Sequence, residues 1–272
     1  MGMSNILFVG DVHGNLAYLM RAMIKASRLG IKNIVQVGDF HIYNSQEQDK
    51  LERVQRNLCK QFGFPVIVHF IDGNHENFNI IDPHDDSPIG IIPEVLYYYP
   101  RGTTVKLEGV NIGFFGGAHT INQQLYVPGH NWFPDEIPNY GDIERALNNF
   151  TDNPIDILVT HDIPNFAEKQ VRHVPIPGEP IHYVSRKDED DSRVVRETIE
   201  NIVDYVNPRI VIHGHWHHFN HDSYRRDSGD NTMVDVVSLA HDDKYGSTVV
   251  LDHDKNTDTV SVNIVDNGKG RS

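Results

Sequence analysis

The chain of 272 residues carries 38 acidic and 24 basic side chains, a formal net charge of −14. Proteins that track long nucleic acids present a basic stripe, so this balance argues against that class. No apolar run approaches the roughly 18 residues of a membrane helix, and residues 1–5 lack the basic region of a signal peptide. The single cysteine, Cys59, excludes an internal disulfide and fits a reducing compartment, so we expect a cytoplasmic protein without a membrane partner.

The first part of the chain alternates predicted strands and helices. Residues 5–9 form a short apolar run that predicts a buried strand. Residues 15–29 carry apolar side chains at helical spacing, and Gly30 is typical of the position after a helix. Further predicted elements are a strand over 33–37, a helix over 46–62 and a strand over 65–71. This alternation predicts a parallel sheet with right-handed crossovers.

The rest of the chain is less regular but still predicts strands and helices. Residues 164–191 contain four prolines and end in a charged run, so we interpret them as a long surface excursion. Residues 267–272 read as a flexible tail, and no linker divides the chain, so we expect a single domain over 1–272. The predicted helices cover 141–149 and 192–205, and the predicted strands cover 95–99, 103–107, 110–115, 155–159, 208–212, 232–238, 248–252 and 259–264.

Polar clusters follow five of the predicted buried strands. Ligands bind beyond the carboxyl ends of parallel strands, so loops there can bring distant residues to one point. Imidazole nitrogens and carboxylate or amide oxygens suit divalent ions such as zinc, iron and manganese. The clusters are Asp11-Val12-His13, Asp39, Asn74-His75, His161 and His215-Trp216-His217.

Each cluster also has a purely structural interpretation. Asp-x-His and Gly-Asp are common in turns, Asn74 could cap a helix, and His161 could be an ordinary buried histidine. Gly-His-x-His is the sharpest fragment, because alternate residues of an extended segment point to the same side. The occurrence of all five clusters in this order, each at a strand end, favours a metal site.

The motifs GDVHG (10–14), GD (38–39), GNHE (73–76), TH (160–161) and GHWH (214–217) resemble the calcineurin-like metallophosphoesterase superfamily. The segments 116–119 and 132–136 are also similar to a phage and bacterial subgroup. The resemblance implies an α/β fold, a four-layer α/β/β/α sandwich with two mixed β-sheets. It further implies a phosphoesterase whose attacking hydroxide bridges two divalent metal ions, manganese, iron or zinc.

The resemblance also implies a role for each motif residue. Asp39 would be shared by the two ions. His75 would not bind metal but would face the substrate as the catalytic residue, either as a proton donor to the leaving group or as a partner of a phosphate oxygen. One ion would be held by Asp11, His13, Asp39 and His217, and the other by Asp39, Asn74, His161 and His215.

Several roles stay open at this point. With a single metal, His13 would lie outside the ligand set. His41 could contact substrate or line the rim of the site, and His119 and His130 could do either. One of three carboxylates could orient the histidines by a hydrogen bond without binding the metal itself; the candidates are Asp72, Glu76 and Asp162.

A segment that is missing after the second motif restricts the substrate class. Protein phosphatases and dinucleoside-polyphosphate hydrolases of the superfamily carry an Asp-Arg-Gly segment after the second motif, whereas Phe40 and His41 follow Asp39 here. DNA-repair exonucleases need a duplex-binding surface, which the net charge disfavours. We expect a small phosphodiester, of cyclic-nucleotide or aryl type; the alternative is a broad-specificity phosphomonoesterase or a protein phosphatase. A non-enzymatic scaffold would be expected to lack ligands, yet every ligand position is filled.

Overall fold

A computed structural model describes residues 3–121, 123–170, 186–225, 232–254, 257 and 259–265. Short 3₁₀ helices span Gln123–Leu125, Pro134–Glu136 and Asn165–Gln170. In chain order the strands and α-helices are β1 (Met3–Val9), α1 (Leu16–Leu29), β2 (Asn33–Gln36), α2 (Ser45–Phe62), β3 (Ile67–Phe70), β4 (Ile89–Ile92), β5 (Leu96–Tyr98), β6 (Thr103–Leu107), β7 (Val110–Phe115), α3 (Tyr140–Asp152), β8 (Ile157–Thr160), α4 (Arg186–Val206), β9 (Ile210–His213), β10 (Asn220–Arg225), β11 (Met233–Ser238), β12 (Thr248–Asp254) and β13 (Thr259–Ile264).

The strands form two mixed sheets. The first sheet has the order β13-β12-β1-β2-β3-β5-β4, in which β1, β2, β3 and β5 run parallel and the other strands pair antiparallel. The second has the order β10-β11-β9-β8-β7-β6, with parallel central strands and antiparallel edge strands β10 and β6. Each sheet therefore has a parallel centre, and the alternating pattern over residues 5–71 predicts that of the first sheet.

Apolar side chains alternate between the two faces of each sheet and build three core layers. In β1, Phe8 belongs to the cluster between the sheets, together with Phe114 and Ile212 of the second sheet. Its neighbours Leu7 and Val9 point the other way, toward α1 and α2. The outer face of the second sheet packs against α3 and α4. These contacts confirm the predicted four-layer α/β/β/α sandwich.

The first two helices begin and end where their sequences indicate. Asn15 and Asn44 precede α1 and α2, and each side chain accepts a hydrogen bond from the backbone N–H three residues later. Gly30 and Gly63 end these helices in the left-handed conformation, with φ of 75° and 81°. Among the described residues, no helix is long and apolar enough to cross a membrane.

The sequence pattern predicts neither β4 nor β10, which are both edge strands. The sequence of β10 is Asn-His-Asp-Ser-Tyr-Arg, and its side chains are partly or largely exposed. Because it lacks an apolar face, periodicity cannot identify it. Its backbone pairing with β11, from Asn220↔Ser238 to Arg225↔Met233, holds it in the sheet.

We predicted a surface loop over 164–191, but the structure has helices at both ends of this range. Asn165–Gln170 forms a 3₁₀ helix in which Ala167 and Gln170 are buried. Residues 171–185 lie outside the described residues, as does the predicted tail at 267–272.

Helix α4 begins at Arg186, six residues before its predicted start at residue 192. Asp188 and Glu189 lie in its first turn. Acidic side chains are favoured there by the partial positive charge of the helix N-terminus. The charged run therefore initiates a helix instead of closing a loop.

A buried ion pair joins the two sheets beside the strand ends. Arg101 lies between β5 of the first sheet and β6 of the second, and Asp72 follows β3. The guanidinium donates to Asp72 Oδ2 from Nε at 2.9 Å and from Nη2 at 2.6 Å, and both side chains are fully buried. It also lies 3.3 Å from Asp142 on α3 and donates to the backbone oxygens of Asp135 and Glu136.

We expect Arg101→Met to lower the free energy of unfolding by roughly 3–5 kcal/mol, because it leaves buried carboxylates without their cation. Urea denaturation of the metal-depleted protein measures this loss. Arg56→Met is the matched control, since Arg56 pairs with Glu52 at 3.0 Å on the exposed face of α2. That change should cost less than about 1 kcal/mol. Equal losses in the two variants would contradict a structural role for the buried pair.

Candidate metal centre

The segments after five parallel strands meet at one edge of the two sheets. Because β1, β2 and β3 belong to one sheet and β8 and β9 to the other, the site spans the boundary between the sheets. The predicted ligands reach this edge from both sides. Asp11 follows β1, Asp39 follows β2, Asn74 and His75 follow β3, His161 follows β8, and His215 and His217 follow β9.

One group of ligand atoms surrounds the Asp11 carboxylate. Its Oδ2 lies 3.3 Å from His217 Nε2 and 3.9 Å from His13 Nε2. The two imidazole Nε2 atoms are 3.0 Å apart. The backbone N–H of His215 donates to Asp11 Oδ2 at 3.1 Å, which fixes the orientation of the carboxylate.

A second group surrounds Asp39 and His161. Asp39 Oδ2 lies 3.4 Å from His161 Nε2 and 3.9 Å from His13 Nε2. Asn74 Oδ1 lies 3.2 Å from the same His161 nitrogen. The His215 ring lies beside the His161 ring, with centroids 5.1 Å apart. All seven predicted ligands are therefore close together.

The backbone fixes which nitrogen of His161 faces the site. His161 Nδ1 donates to the carbonyl oxygen of Val37 at 2.7 Å, so Nε2 points at the acidic side chains. Burial opposes a charge on the ring, but the Asp39 carboxylate raises the pKa of His161 to about 10. A bound cation would take the place of that proton.

Burial and the neighbouring histidine charges shift the pKa of Asp39 in opposite directions, whereas burial and the His161 charge shift the pKa of His215 in the same direction. Burial alone would raise the pKa of Asp39, yet the charges of His161 and His75 hold it well below its usual range. Burial and the charge of His161 lower the pKa of His215 far below its ordinary value. The site therefore contains an ionised carboxylate beside a neutral imidazole, and both can bind a cation.

Four of the candidate ligands adopt a left-handed backbone conformation that non-glycine residues rarely use. Such a conformation costs roughly 1–3 kcal/mol per residue, and the surrounding structure must impose it. Strain of this kind concentrates at functional sites. The values of φ are 45° for His13, 56° for Asp39, 66° for His215 and 59° for His217.

The donor set fits divalent transition-metal ions. Two triads have ligand atoms within 4.8 Å of one another, one of Asp11, His13 and His217 and one of Asp11, Asp39 and His161. Mixed imidazole and carboxylate ligands suit zinc, iron and manganese. The acidic members are buried, whereas the side chains of His13 and His217 are 28% and 26% exposed, so the site opens to solvent on their side.

His75 lies beside the ligand groups and not within them. Its backbone N–H donates to Asp39 Oδ1 at 2.8 Å, and its ring centroid lies 6.1 Å from that of His13 and 5.5 Å from that of Tyr126. Burial lowers the pKa of His75. A cavity of about 200 Å³ adjoins the ring, lined by His41, Tyr43, His75, Glu76, Asn77, His130 and Asn131.

The three carboxylates whose roles the sequence left open have separate partners. Asp72 forms the buried ion pair. Glu76 accepts from the backbone N–H of Phe40 at 2.7 Å and thereby fixes the loop that carries Asp39. Asp162 accepts from Trp216 Nε1 at 2.8 Å, which holds the middle residue of the His-Trp-His segment. These acids orient the ligand loops through their backbones and through Trp216.

His241, which follows β11, also lies at the site, although the motifs do not include it. Its ring centroid lies 4.7 Å from that of His217, and its Nδ1 pairs with Asp242 Oδ1 at 2.8 Å. Its position three residues after a predicted buried strand, 232–238, is the signal in the sequence that indicates it. No sequence pattern indicated that Tyr126 would lie against His75.

We expect Gly73→Ala to weaken metal binding by roughly tenfold or more, as disturbed ligand orientation does elsewhere. A Cβ at Gly73 would lie 2.2 Å from Asp39 Oδ1 and 2.8 Å from His161 Nε2. The control is Gly90→Ala on β4, where the nearest contact is Tyr97 at 3.4 Å. Calorimetric titration of the chelator-treated proteins with Mn²⁺ measures both. Unchanged affinity in the Gly73 variant would exclude this site for the metal.

Comparison with known proteins supports the fold. No curated protein is significantly similar to the chain. The crystal structure of TT1561 from Thermus thermophilus superposes with a TM-score of 0.51 at 14% identity, covering 97% of this chain and 99% of that one. GAP50, the anchor in the inner membrane complex of Plasmodium, gives a TM-score of 0.51 at 12% identity, covering 100% and 87%. At these identities the likeness shows the fold alone.

The family assignment rests on the sequence itself. The model of the calcineurin-like phosphoesterases matches residues 4–219, a stretch that includes all five motif segments. It ends two residues after His217, the last candidate ligand. The chain therefore belongs to the calcineurin-like phosphoesterase family and is a metal-dependent hydrolase of phosphate esters.

Proposed function

We propose that the protein hydrolyses small phosphodiesters with two divalent cations held at the strand-end edge. The proposal follows the two groups of ligand atoms that lie on either side of Asp39. One cation would be held by Asp11, His13, Asp39 and His217, and the other by Asp39, Asn74, His161 and His215.

The position of a single oxygen supports Asp39 as the shared ligand. Asp39 Oδ2 lies within 3.9 Å of His13 Nε2 on one side and 3.4 Å from His161 Nε2 on the other. Its second oxygen is occupied by the backbone N–H of His75. Oδ2 is therefore the oxygen that faces both groups, and a shared carboxylate reduces the repulsion between two cations.

When bound, the cations would activate water for attack on phosphorus and neutralise charge on the phosphoryl oxygens. The chain's own contribution comes from His75. Its ring faces the cavity where a leaving group would lie, and a neutral imidazole can donate one N–H to the leaving oxygen. Tyr126 packs against the His75 ring, with the ring centroids 5.5 Å apart.

The lack of a lysine or arginine among the described residues that line the cavity supports the assignment to diesters. Within the described part of the chain, the cavity lining contains neither lysine nor arginine. Arg101 cannot serve, since it is fully buried and engaged by Asp72. A phosphomonoester carries a second negative charge that would need such a partner, whereas a diester does not.

The test is a panel of bis-aryl and mono-aryl phosphates and cyclic nucleotides, assayed with manganese and with chelator controls. We expect kcat/KM for the diester to exceed that for the monoester by roughly tenfold or more, since a missing charged hydrogen bond costs about 1.5–3 kcal/mol. Similar values for both classes would identify a broad-specificity phosphatase instead.

A variant pair sharpens this comparison. His130→Arg places a cation at the exposed rim of the cavity and should raise the relative monoester rate roughly two- to fivefold, the effect of a partly exposed charge pair. His130→Gln, which adds no charge, should leave the ratio unchanged. If both variants change the ratio equally, charge at the cavity does not set the preference.

We expect His75→Ala to retain its metal and to lose roughly 10²–10⁴-fold in kcat with alkyl leaving groups, the typical contribution of a general acid. The loss should shrink with a nitrophenolate leaving group, which needs no proton. Elemental analysis and steady-state kinetics measure the two effects.

Asp39→Ala should lose metal together with activity, and full metal content in that variant would contradict the shared-ligand role.

A further inference from the structure

We infer that Thr120 and Glu136 form a hydrogen-bond relay that sets which end of the Asn74 amide faces the cations. The inference rests on the proposed function, in which the Asn74 oxygen is a ligand. It gives the segment 116–136, which contains none of the seven candidate ligands, a defined role in the metal centre.

The relay consists of three buried side chains in a row. Asn74 Nδ2 lies 3.0 Å from Thr120 Oγ1, and Thr120 Oγ1 lies 2.5 Å from Glu136 Oε2. The backbone N–H of Thr120 donates to Glu136 Oε1 at 2.8 Å. None of the three residues is more than 2% exposed. Water is therefore excluded from the row, and each group must be satisfied by its neighbours.

The number of available protons determines which atom donates and which accepts in each hydrogen bond of the relay. Thr120 has a single hydroxyl proton, so it can donate to only one of its two partners. Burial raises the pKa of Glu136, but the backbone N–H of Thr120 and the amide of Gln123 both donate to its Oε1, which favours the carboxylate. A carboxylate only accepts, so Glu136 takes the hydroxyl proton of Thr120. The Thr120 oxygen must then accept from Asn74, which places the NH₂ of Asn74 toward Thr120 and its Oδ1 toward His161.

The opposite orientation would leave the site without a ligand. A reversed amide would present N–H groups to the cation and to His161 Nε2. In the observed orientation, Asn74 Oδ1 lies 3.2 Å from that nitrogen, so both acceptor atoms can face one cation. The amide acts as a ligand only while the relay holds it in this orientation.

The relay is attached to the buried ion pair described above. Arg101 Nη2 donates to the backbone oxygen of Glu136 at 3.1 Å, and the backbone N–H of Gly117 donates to the backbone oxygen of Asp72 at 3.1 Å. Gln123 Nε2 donates to Glu136 Oε1 at 3.2 Å. The segment is therefore held at both ends by the ion pair, and the backbone hydrogen bond from Thr120 to Glu136 fixes Thr120 to its far end.

The test compares three variants of the full chain by calorimetric titration of the chelator-treated protein with Mn²⁺ alone. Thr120→Val keeps the shape but removes the hydroxyl, Thr120→Ser keeps the hydroxyl, and Glu136→Gln lets an introduced NH₂ donate to Thr120 and reverse the row. We expect Thr120→Val and Glu136→Gln to weaken one of the two Mn²⁺ sites by roughly 10–100-fold. Thr120→Ser should remain within about threefold of the wild type.

The outcomes separate the relay from a general structural effect. Weakening of one site with rescue by Thr120→Ser, at unchanged thermal stability, supports the relay. Two Mn²⁺ ions bound with unchanged affinities in both Thr120→Val and Glu136→Gln overturn it. Equal weakening of both sites also overturns it, because Asn74 belongs to one ligand group. A wild-type chain that binds no Mn²⁺ would instead refute the proposed function.

Discussion

The face-to-face packing of the two sheets is the constraint on which the metal centre depends. Apolar side chains of both sheets share one core cluster, and their burial holds the strands in a fixed relative position. Asp39 leaves a strand of the first sheet and His161 leaves a strand of the second, yet their ligand atoms are 3.4 Å apart. Sliding of one sheet by a single residue, about 3.3 Å, would separate them. The non-directional hydrophobic effect thus determines the precision of a polar site.

The loops after the strands hold the candidate ligands in position. Four candidate ligands adopt strained left-handed backbone conformations, and this strain persists only because buried contacts impose it. The pair of Asp72 and Arg101 supplies such contacts, since its members lie on segments from both sheets and are fully buried. Glu76 fixes the loop after β2 through backbone N–H groups. The ligands are thus held in place by the fold before any cation binds, a form of preorganisation that lowers the cost of binding.

The sequence predicted most of the strands and helices because apolar runs and glycines mark the buried strands and the helix ends. The four-layer arrangement came from the resemblance of the motifs to the calcineurin-like superfamily. The sequence predicted the convergence of Asp11, Asp39 and His161 because strand ends meet in parallel sheets. It could not predict β10, whose polar side chains leave only backbone hydrogen bonds to hold it. Nor could it indicate that Arg101 would be buried or that Thr120 would contact Asn74, since both depend on loops from different parts of the chain. Substrate preference is equally hidden, because it depends on which side chains line a cavity.

The order of strands in the sheets has a consequence for how the chain can be divided. The stretch that matches the family model ends at residue 219, before β10. Yet β12 pairs with β1 along its whole length, from Met3↔Asp254 to Val9↔Thr248, and β11 pairs with β9. A fragment cut at the family boundary would keep every candidate ligand but expose the unpaired edges of the two strands that lead to Asp11 and His215. Open edges of this kind pair with other chains, so such a fragment would be exposed to aggregation although its ligand set is complete.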